Sequence, residues 1–160
     1  MRRKEREVTE KSEIIAIIKR AKVLNLGLFN QEYPYVVPLS FFYQQEAQEQ
    51  CLYFHAAKEG KKLDLIKKDP HCAFAIYTDH GVIHRSEAEQ TTNYYECVLG
   101  EGRVEEVTDL DQKNALLIKL TRNYGFTQAI NLTAEVLEKT FVGKVIISKL
   151  SGKANKEESK

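Results

Sequence analysis

The apolar positions of the chain recur with two different periods. Between Ile14 and Ala21 they are spaced three and four residues apart, which predicts an amphipathic helix that Thr9 or Ser12 could cap. Residues 22–29 instead alternate apolar and polar side chains, as a half-buried strand does. Comparable patterns predict further strands at 34–43, 51–55, 71–78, 93–107 and 141–148, and further helices at 61–68, 109–122 and 132–139.

Proline, glycine and polar residues divide these elements. Residues 30–32 form a predicted turn, and Pro70 ends a helix because proline disfavours helical geometry in the residue before it. Pro38 has no N–H to donate, so its strand is expected at an edge or a bulge. Gly100 and Gly102 are expected at bulges. Residues 79–92 show little periodicity, and the polar residues 151–160 are predicted to be a mobile tail.

The order of elements is helix, three strands, helix, two strands, two helices and a final strand. This order favours antiparallel pairing over repeated βαβ units. We therefore predict an α+β fold in which residues 1–150 form one domain, a six-stranded barrel with flanking helices. A ligand of such a barrel is expected at its mouth or against an edge.

Composition narrows the class of ligand. The 160 residues suffice for one core, and 42% hydrophobic with 29% charged residues exclude a disordered chain. With 24 Lys and Arg against 23 Asp and Glu, a protein that binds by neutralising phosphates is disfavoured, so nucleic acid is not an expected partner. Eight Tyr and seven Phe supply aromatic surface for a flat ligand.

The cysteines and the first residues of the chain bear on the cellular compartment in which the protein is expected. Cys51, Cys72 and Cys97 are odd in number and contain no CxxC pair, so reduced thiols are expected. The basic first residues are not followed by the apolar stretch of a signal peptide, and the aliphatic run at 14–18 is far short of the ~20 residues of a membrane span. We expect a soluble, cytoplasmic protein without a membrane partner.

The segment from Leu52 to Lys62 is the strongest candidate site. A strand ends at His55, a loop of small residues follows, and a helix begins at two lysines. Backbone N–H groups, the helix dipole and an ammonium could therefore converge on one anion. The spacing does not fit a Walker A loop. From spacing alone, a solvated basic helix start is the more common explanation of these residues.

Residues 34–41 are a second candidate, because the backbone next to Pro38 could bind the polar edge of a planar ligand, although an ordinary edge strand explains them too. No cysteine has an activating context for a nucleophile. We predict no metal site, because the spacing does not suit a shared helical face. The potential ligands would be His71, Cys72, His80 and His84.

A resemblance to a known family is carried by residues 33–39 (YPYVVPL), 52–63 (LYFHAAKEGKKL) and 100–103 (GEGR). Together with residues 1–4 (MRRK) and 147–153 (ISKLSGK), these segments are similar to the 5-nitroimidazole-resistance (Nim) branch of the pyridoxamine 5′-phosphate oxidase-like flavoproteins. The resemblance spans nearly the whole chain, in the same order and at the same spacing.

The resemblance implies a split β-barrel that forms a homodimer and holds FMN in two clefts between the subunits. Main-chain groups of Val37, Pro38, Leu39 and Ser40 would face the isoalloxazine. The phosphate would lie at the loop around His55, with Lys61 or Lys62, which the sequence does not separate. The remaining cofactor-binding residues it implies are Tyr53, Phe54, Ala56 and Gly60, with Tyr95 and Arg103 from the partner subunit.

The implied chemistry is the reduction of a small electrophile, such as a nitroaromatic compound, with electrons from NAD(P)H or another reductase. His55 is a candidate for proton transfer, but phosphate binding is the favoured role. A flavin or haem binding module without turnover would share the fold.

Two departures from the family pattern concern the substrate. Glu96 and Cys97 stand where this branch commonly has a basic residue and a serine, which would change the charge at the proposed interface. No histidine follows His84, which argues against vitamin B6 oxidation.

Overall fold

The computed structural model describes residues 3–155. Short 3-10 turns lie at Lys4–Arg6 and Ala88–Gln90. No helix in the described range is long and apolar enough to cross a membrane. The helices are α1 (Lys11–Arg20), α2 (Lys61–Lys68), α3 (Leu110–Asn123) and α4 (Ala134–Lys139). The strands are β1 (Glu7–Val8), β2 (Val23–Leu28), β3 (Tyr35–Gln45), β4 (Gln50–Ala57), β5 (His71–Ile83), β6 (Thr92–Glu106) and β7 (Thr140–Asn155).

Six of the strands close into an antiparallel barrel. Their order is β7-β4-β3-β2-β5-β6, and β6 pairs back onto β7. The two-residue β1 adds to β7 outside this order, with Glu7 opposite Lys153. The predicted α+β fold with a six-stranded antiparallel barrel and flanking helices is confirmed.

Two hydrophobic clusters hold the fold together. The barrel interior is filled by alternate residues of the strands, and α1 and α2 pack against it through Ile17, Ile18 and Leu63. α3 and α4 pack against side chains of β3 and β4, where Phe42 and Tyr53 belong to the second cluster. β4 therefore separates the two clusters, with Phe54 in one and Tyr53 in the other.

Two phenylalanine rings lie against glycines of neighbouring strands. A Cβ atom on Gly143 would overlap the ring of Phe54, and one on Gly100 would overlap the ring of Phe74. The β6–β7 register shifts between Glu101 and Gly102, but the residue without a partner in this ladder is Ser148 of β7, so the bulge lies opposite the position predicted at Gly102 and on the other strand. Gly100 itself stays in register, so the bulge expected there is wrong and the residue leaves room for a ring.

Two strands, β5 and β7, run well past their predicted ends. β5 continues through a bulge at His80 to Ile83. The sequence of this extension shows no alternation because most of its residues are exposed. β7 continues to Asn155, so the mobile tail predicted from residue 151 is wrong for residues 151–155. The buried positions there are Gly152 and Ala154, too small to give an apolar signal. Residues 156–160 lie outside the described range.

The helix ends agree in part with the sequence. α2 begins and ends as predicted, and the residue before Pro70 terminates it. α1 follows Glu10, and no side chain caps it, so the capping role expected for Thr9 or Ser12 is wrong.

Candidate functional site

β3 and β4 separate at one end of the barrel. Their ladder begins at Phe41 opposite Phe54 and runs away from this point to Gln45 opposite Gln50. Residues 35–40 of β3 pair only with β2, and residues 55–57 of β4 pair only with β7. The two strands therefore form a fork that starts between Ser40 and His55. The edge position predicted for Pro38 is confirmed.

The open segment of β3 has backbone groups available for a ligand. Phe41 directs its N–H toward the β2 side, where it donates to the Tyr124 hydroxyl at 3.1 Å. Because neighbouring residues of an antiparallel strand alternate in direction, Pro38 and Ser40 direct their backbone groups into the fork. Pro38 leaves no N–H unpaired there. The side chains of Pro38 and Ser40 are exposed, whereas that of Val37 is half-buried and that of Leu39 is buried.

The carboxyl end of α3 fixes this segment. The Tyr124 hydroxyl donates to the carbonyl of Lys22, and Asn123 Nδ2 donates to the carbonyl of Phe41 at 3.3 Å. These two side chains take the place of hydrogen-bond partners in the β2–β3 ladder, just beyond its last pair, Val23 with Ser40. Sequence reasoning missed both residues, because nothing local connects the end of a helix with a strand about 80 positions earlier.

The amino terminus of α2 lies at the fork. Gly60 precedes the helix with φ 105°, a left-handed conformation that favours glycine, and no side chain caps the first turn. The N–H groups at this end carry the positive pole of the helix dipole. Lys61 Nζ lies 5.4 Å from the ring centroid of Tyr35, at the start of β3. Lys62 is half-buried and acts electrostatically on His55.

Two basic groups share this corner without a counter-ion. The His55 side chain is still exposed to solvent. Partial desolvation by the atoms around it lowers its pKa, and the charge of Lys62 lowers the pKa further. Burial also lowers the pKa of Lys62. Among residues 3–155, neither side chain forms an ion pair with a carboxylate. Because an anion would relieve both penalties, the corner has the chemistry of a phosphate site.

The neighbours of His55 differ in what they can offer. Tyr53 and Phe54 are each 1% exposed and pack in the cores, and the Tyr53 hydroxyl donates to Glu46. Only their main chain could reach a ligand. Ala56 is half-buried and Gly60 is exposed, so the loop after β4 lets a ligand approach its backbone.

Tyr95 and Arg103 lie on β6, three strands from β3 in the same subunit. β6 is also two strands from β4 by way of β7. At about 4.8 Å per strand these separations are roughly 14 and 10 Å, so neither residue lies on a strand next to the fork in one subunit. Arg103 forms an ion pair with Glu105 at 2.5 Å, and Tyr95 stacks on Tyr77.

Glu96 has charged and polar partners within the subunit. Its side chain is buried, and its carboxylate binds Arg20 at 2.7 Å and His80 at 3.2 Å. The change of charge expected at an interface between two copies stays a prediction.

One group of potential metal ligands occurs within the described part of the chain, formed by Glu46, Glu49 and Cys51. The Lys144 ammonium already binds both carboxylates, at 2.7 and 2.8 Å. This arrangement is an ion-pair network.

Comparisons with known proteins agree with this fold. A putative 5-nitroimidazole antibiotic resistance protein from Bacteroides thetaiotaomicron superposes with a TM-score of 0.79 at 23% identity, covering 94% of this chain and 90% of that one. A flavocytochrome from Azotobacter vinelandii gives 0.81 at 18% identity, with 98% and 72% coverage. An FAD and haem binding protein from Mycobacterium smegmatis gives 0.81 at 17%, with 97% and 76%.

At these identities the similarity shows the fold alone. No curated protein sequence matches the chain significantly. The model of a protein family, described as pyridoxamine 5′-phosphate oxidase, matches residues 10–154. The chain therefore belongs to the pyridoxamine 5′-phosphate oxidase family.

Proposed function

We propose that the protein is an FMN-dependent oxidoreductase that reduces small electrophilic, nitroaromatic-like compounds. The observation that carries the proposal is the fork, which joins an unpaired strand segment to an uncompensated basic corner. A flavin phosphate is an elongated ligand with a flat polar edge at one end and an anion at the other. The names of the similar structures, which include flavin-binding proteins and a nitroimidazole resistance protein, support the same class.

The residues at the fork fit this cofactor. The backbone groups of Pro38 and Ser40 suit the polar edge of the isoalloxazine, and His55 and Lys62 suit the phosphate. A bound flavin would supply the redox chemistry by accepting a hydride and passing electrons to the substrate. The chain orients the ring, holds the phosphate and keeps His55 near the cofactor as a proton donor or acceptor.

We further propose that two copies complete the site. The outer face of the sheet from β3 through β2 and β5 to β6 exposes large apolar side chains, including Val36, Tyr77 and Leu99. Such a continuous face is typical of an interface. A second copy seated on it would bring Tyr95 and Arg103 to the cofactor. Leu99→Asp should give a monomer in sedimentation that loses most of its flavin, whereas Val136→Asp, an exposed valine of α4, should change neither.

Titration of flavin analogues tests the proposal. The wild-type protein should bind FMN at least ten-fold more tightly than riboflavin, because charge-assisted bonds to a phosphate contribute about 1.5–3 kcal/mol each. Lys62→Ala should remove most of this difference and leave riboflavin binding unchanged. Lys61→Ala is the matched control and should have the smaller effect, because Lys61 lies over Tyr35. A chain that takes up no flavin would refute the proposal.

A flavin or haem binding module without turnover is the second candidate. Two of the similar structures carry haem in their names, which favours testing it. Anaerobic stopped-flow with NADH and NADPH separates the candidates. Rapid bleaching of the flavin supports an enzyme, and no reduction by either donor supports a binding module.

A further inference from the structure

Three segments of the chain, residues 14–31, 33–45 and 112–134, contain no Asp or Glu. The net charge of +1 is therefore an average over regions that differ in sign. Of the cations in these segments, Arg20 is paired with Glu96 and Lys113 is buried. The remaining four are exposed, and we call them the basic surface: Lys19, Lys22, Lys119 and Arg122.

The carboxyl end of α3 joins the connection between α1 and β2. Lys22 Nζ donates to the carbonyl of Asn123 at 2.8 Å and lies 5.4 Å from the ring centroid of Tyr124. Arg122 Nη1 donates to the carbonyl of Phe126 at 3.0 Å. Two cations from segments about 100 positions apart in sequence are thus held at the same helix end.

β3 connects the other two cations of the basic surface. Lys19 Nζ lies 5.6 Å from the ring centroid of Tyr43, and Lys119 Nζ lies 5.4 Å from that of Phe42. Consecutive residues of a strand point to opposite faces, so α1 and α3 place one cation on each face of β3. The β2–β3 ladder stops before this point, so β2 does not separate the two cations.

The charge of the basic surface is not neutralised within the described part of the chain. None of its four cations forms an ion pair among residues 3–155. Their partners are neutral aromatic rings and carbonyl or amide oxygens, which orient a cation without cancelling its charge. Other lysines of the molecule do bind carboxylates: Lys139, Lys144 and Lys149. The basic surface therefore attracts an anionic partner.

The rings at this surface distinguish between two kinds of anionic partner. Single-stranded nucleic acid binds by stacking its bases on free aromatic faces. Here the rings of Phe42, Tyr43 and Tyr124 each have an ammonium above them. Tyr124 and the neighbouring Phe126 are nevertheless exposed, and exposed aromatic side chains next to cations are typical of protein–protein interfaces. This combination favours the carboxylates of a protein.

We propose that the basic surface is a docking site for a partner protein that presents a cluster of Asp and Glu side chains. The proposal does not depend on the identity of the cofactor. Lys22 directly precedes Val23, which pairs with Ser40. A docked partner would therefore lie beside the open segment of β3.

Fluorescence anisotropy with a labelled oligoglutamate peptide tests the charge complementarity in the full chain. At low salt the peptide should bind, and about 0.5 M salt should abolish binding because the charges are exposed. The double variant Lys19→Glu/Lys119→Glu should weaken binding at least about 10-fold. The matched control is Lys67→Glu/Lys68→Glu, which changes two exposed lysines of α2 and alters the net charge equally. It should weaken binding by no more than about two-fold.

Three results would overturn the proposal. Equal weakening in the two double variants would show that only the net charge matters. Binding of oligothymidylate or of phosphatidylglycerol vesicles as tight as that of the peptide would identify a different class of partner. Loss of self-association in Lys19→Glu/Lys119→Glu alone, measured by sedimentation without peptide, would show that a second copy covers this surface.

Discussion

The two ends of β4 place a lysine in opposite situations. At its beginning, the strand pairs on both sides, and the Lys144 ammonium lies between Glu46 and Glu49 at 2.7 and 2.8 Å. At its end, the strand pairs on one side only, and Lys62 lies beside His55 without a carboxylate partner among the described residues. One strand thus joins a closed network to an open corner.

The pKa shifts of the two lysines have opposite signs. Burial alone would lower the pKa of Lys144, but its hydrogen bonds to Glu46 and Glu49 raise it above the usual value. For Lys62, burial lowers the pKa and nothing compensates. A lysine that is paired with carboxylates of the same chain stabilises the fold. A partly buried lysine without such a partner is available to bind an anionic ligand.

Removing the cation of the closed end should have the largest effect. Lys144→Met leaves Glu46 and Glu49 close together without their counter-ion, and we expect a loss of about 2 kcal/mol, less than for a fully buried pair because both carboxylates retain solvent contact. Urea unfolding of the flavin-free protein measures it. Lys62→Met should be neutral or slightly stabilising. Equal losses in both variants would remove the distinction between the two ends.

Lowering the pH should destabilise the closed end of β4 by protonating the carboxylate of Glu46. Hydrogen bonds from Lys144 and Tyr53 lower the pKa of Glu46 below its ordinary value of 4.5. The unfolded chain then binds more protons near that value, so this contribution is present above pH 4.5 and is lost as the pH falls. Glu46→Gln should flatten the acid side of the stability profile, and an unchanged profile would show that the bonds contribute little.

The Tyr124 hydroxyl should have an intermediate effect. It replaces a ladder partner just before β2 begins, by accepting from the N–H of Phe41 and donating to the carbonyl of Lys22. Tyr124→Phe should lower the free energy of unfolding by about 1 kcal/mol and weaken FMN binding a few-fold, because the open segment of β3 loses its anchor. Tyr33→Phe, at an exposed residue of the β2–β3 turn, is the control. Lower stability with unchanged FMN affinity would show that the anchor is structural only.

The sequence predicted the features that are determined by residues close together along the chain. The limits of α2 follow from Lys61 and Pro70, and His55 could be singled out because a strand, a loop and a helix meet there. The fork could not be predicted, because it is set by where the β3–β4 ladder stops. The structure distinguishes Lys61 from Lys62, because the ammonium of Lys61 lies over the ring of Tyr35, whereas the charge of Lys62 acts on His55.

Residues far apart in sequence were also beyond reach. Lys144 meets Glu46 across 98 positions, and the polar end of β7 is a strand because Gly152 and Ala154 pack beneath α1 and β1. Small residues carry little periodic signal, so a tail was the simpler interpretation of residues 151–155.

The smallest expected effect, and the most direct test of the open corner, is the titration of His55. In the flavin-free protein its pKa lies below the ordinary 6.5, because of partial desolvation and the charge of Lys62. As the pH falls, His55 is therefore protonated in the unfolded chain before it is protonated in the folded one. The free energy of unfolding decreases as a result below pH 6.5. A phosphate beside it reverses the sign, since an anion favours the protonated ring. NMR titration should show the pKa of His55 rising when FMN binds but not when riboflavin binds. Lys62→Met should raise it in the flavin-free protein. If the pKa of His55 does not change when FMN binds, the phosphate lies elsewhere, even if the flavin ring still binds at β3.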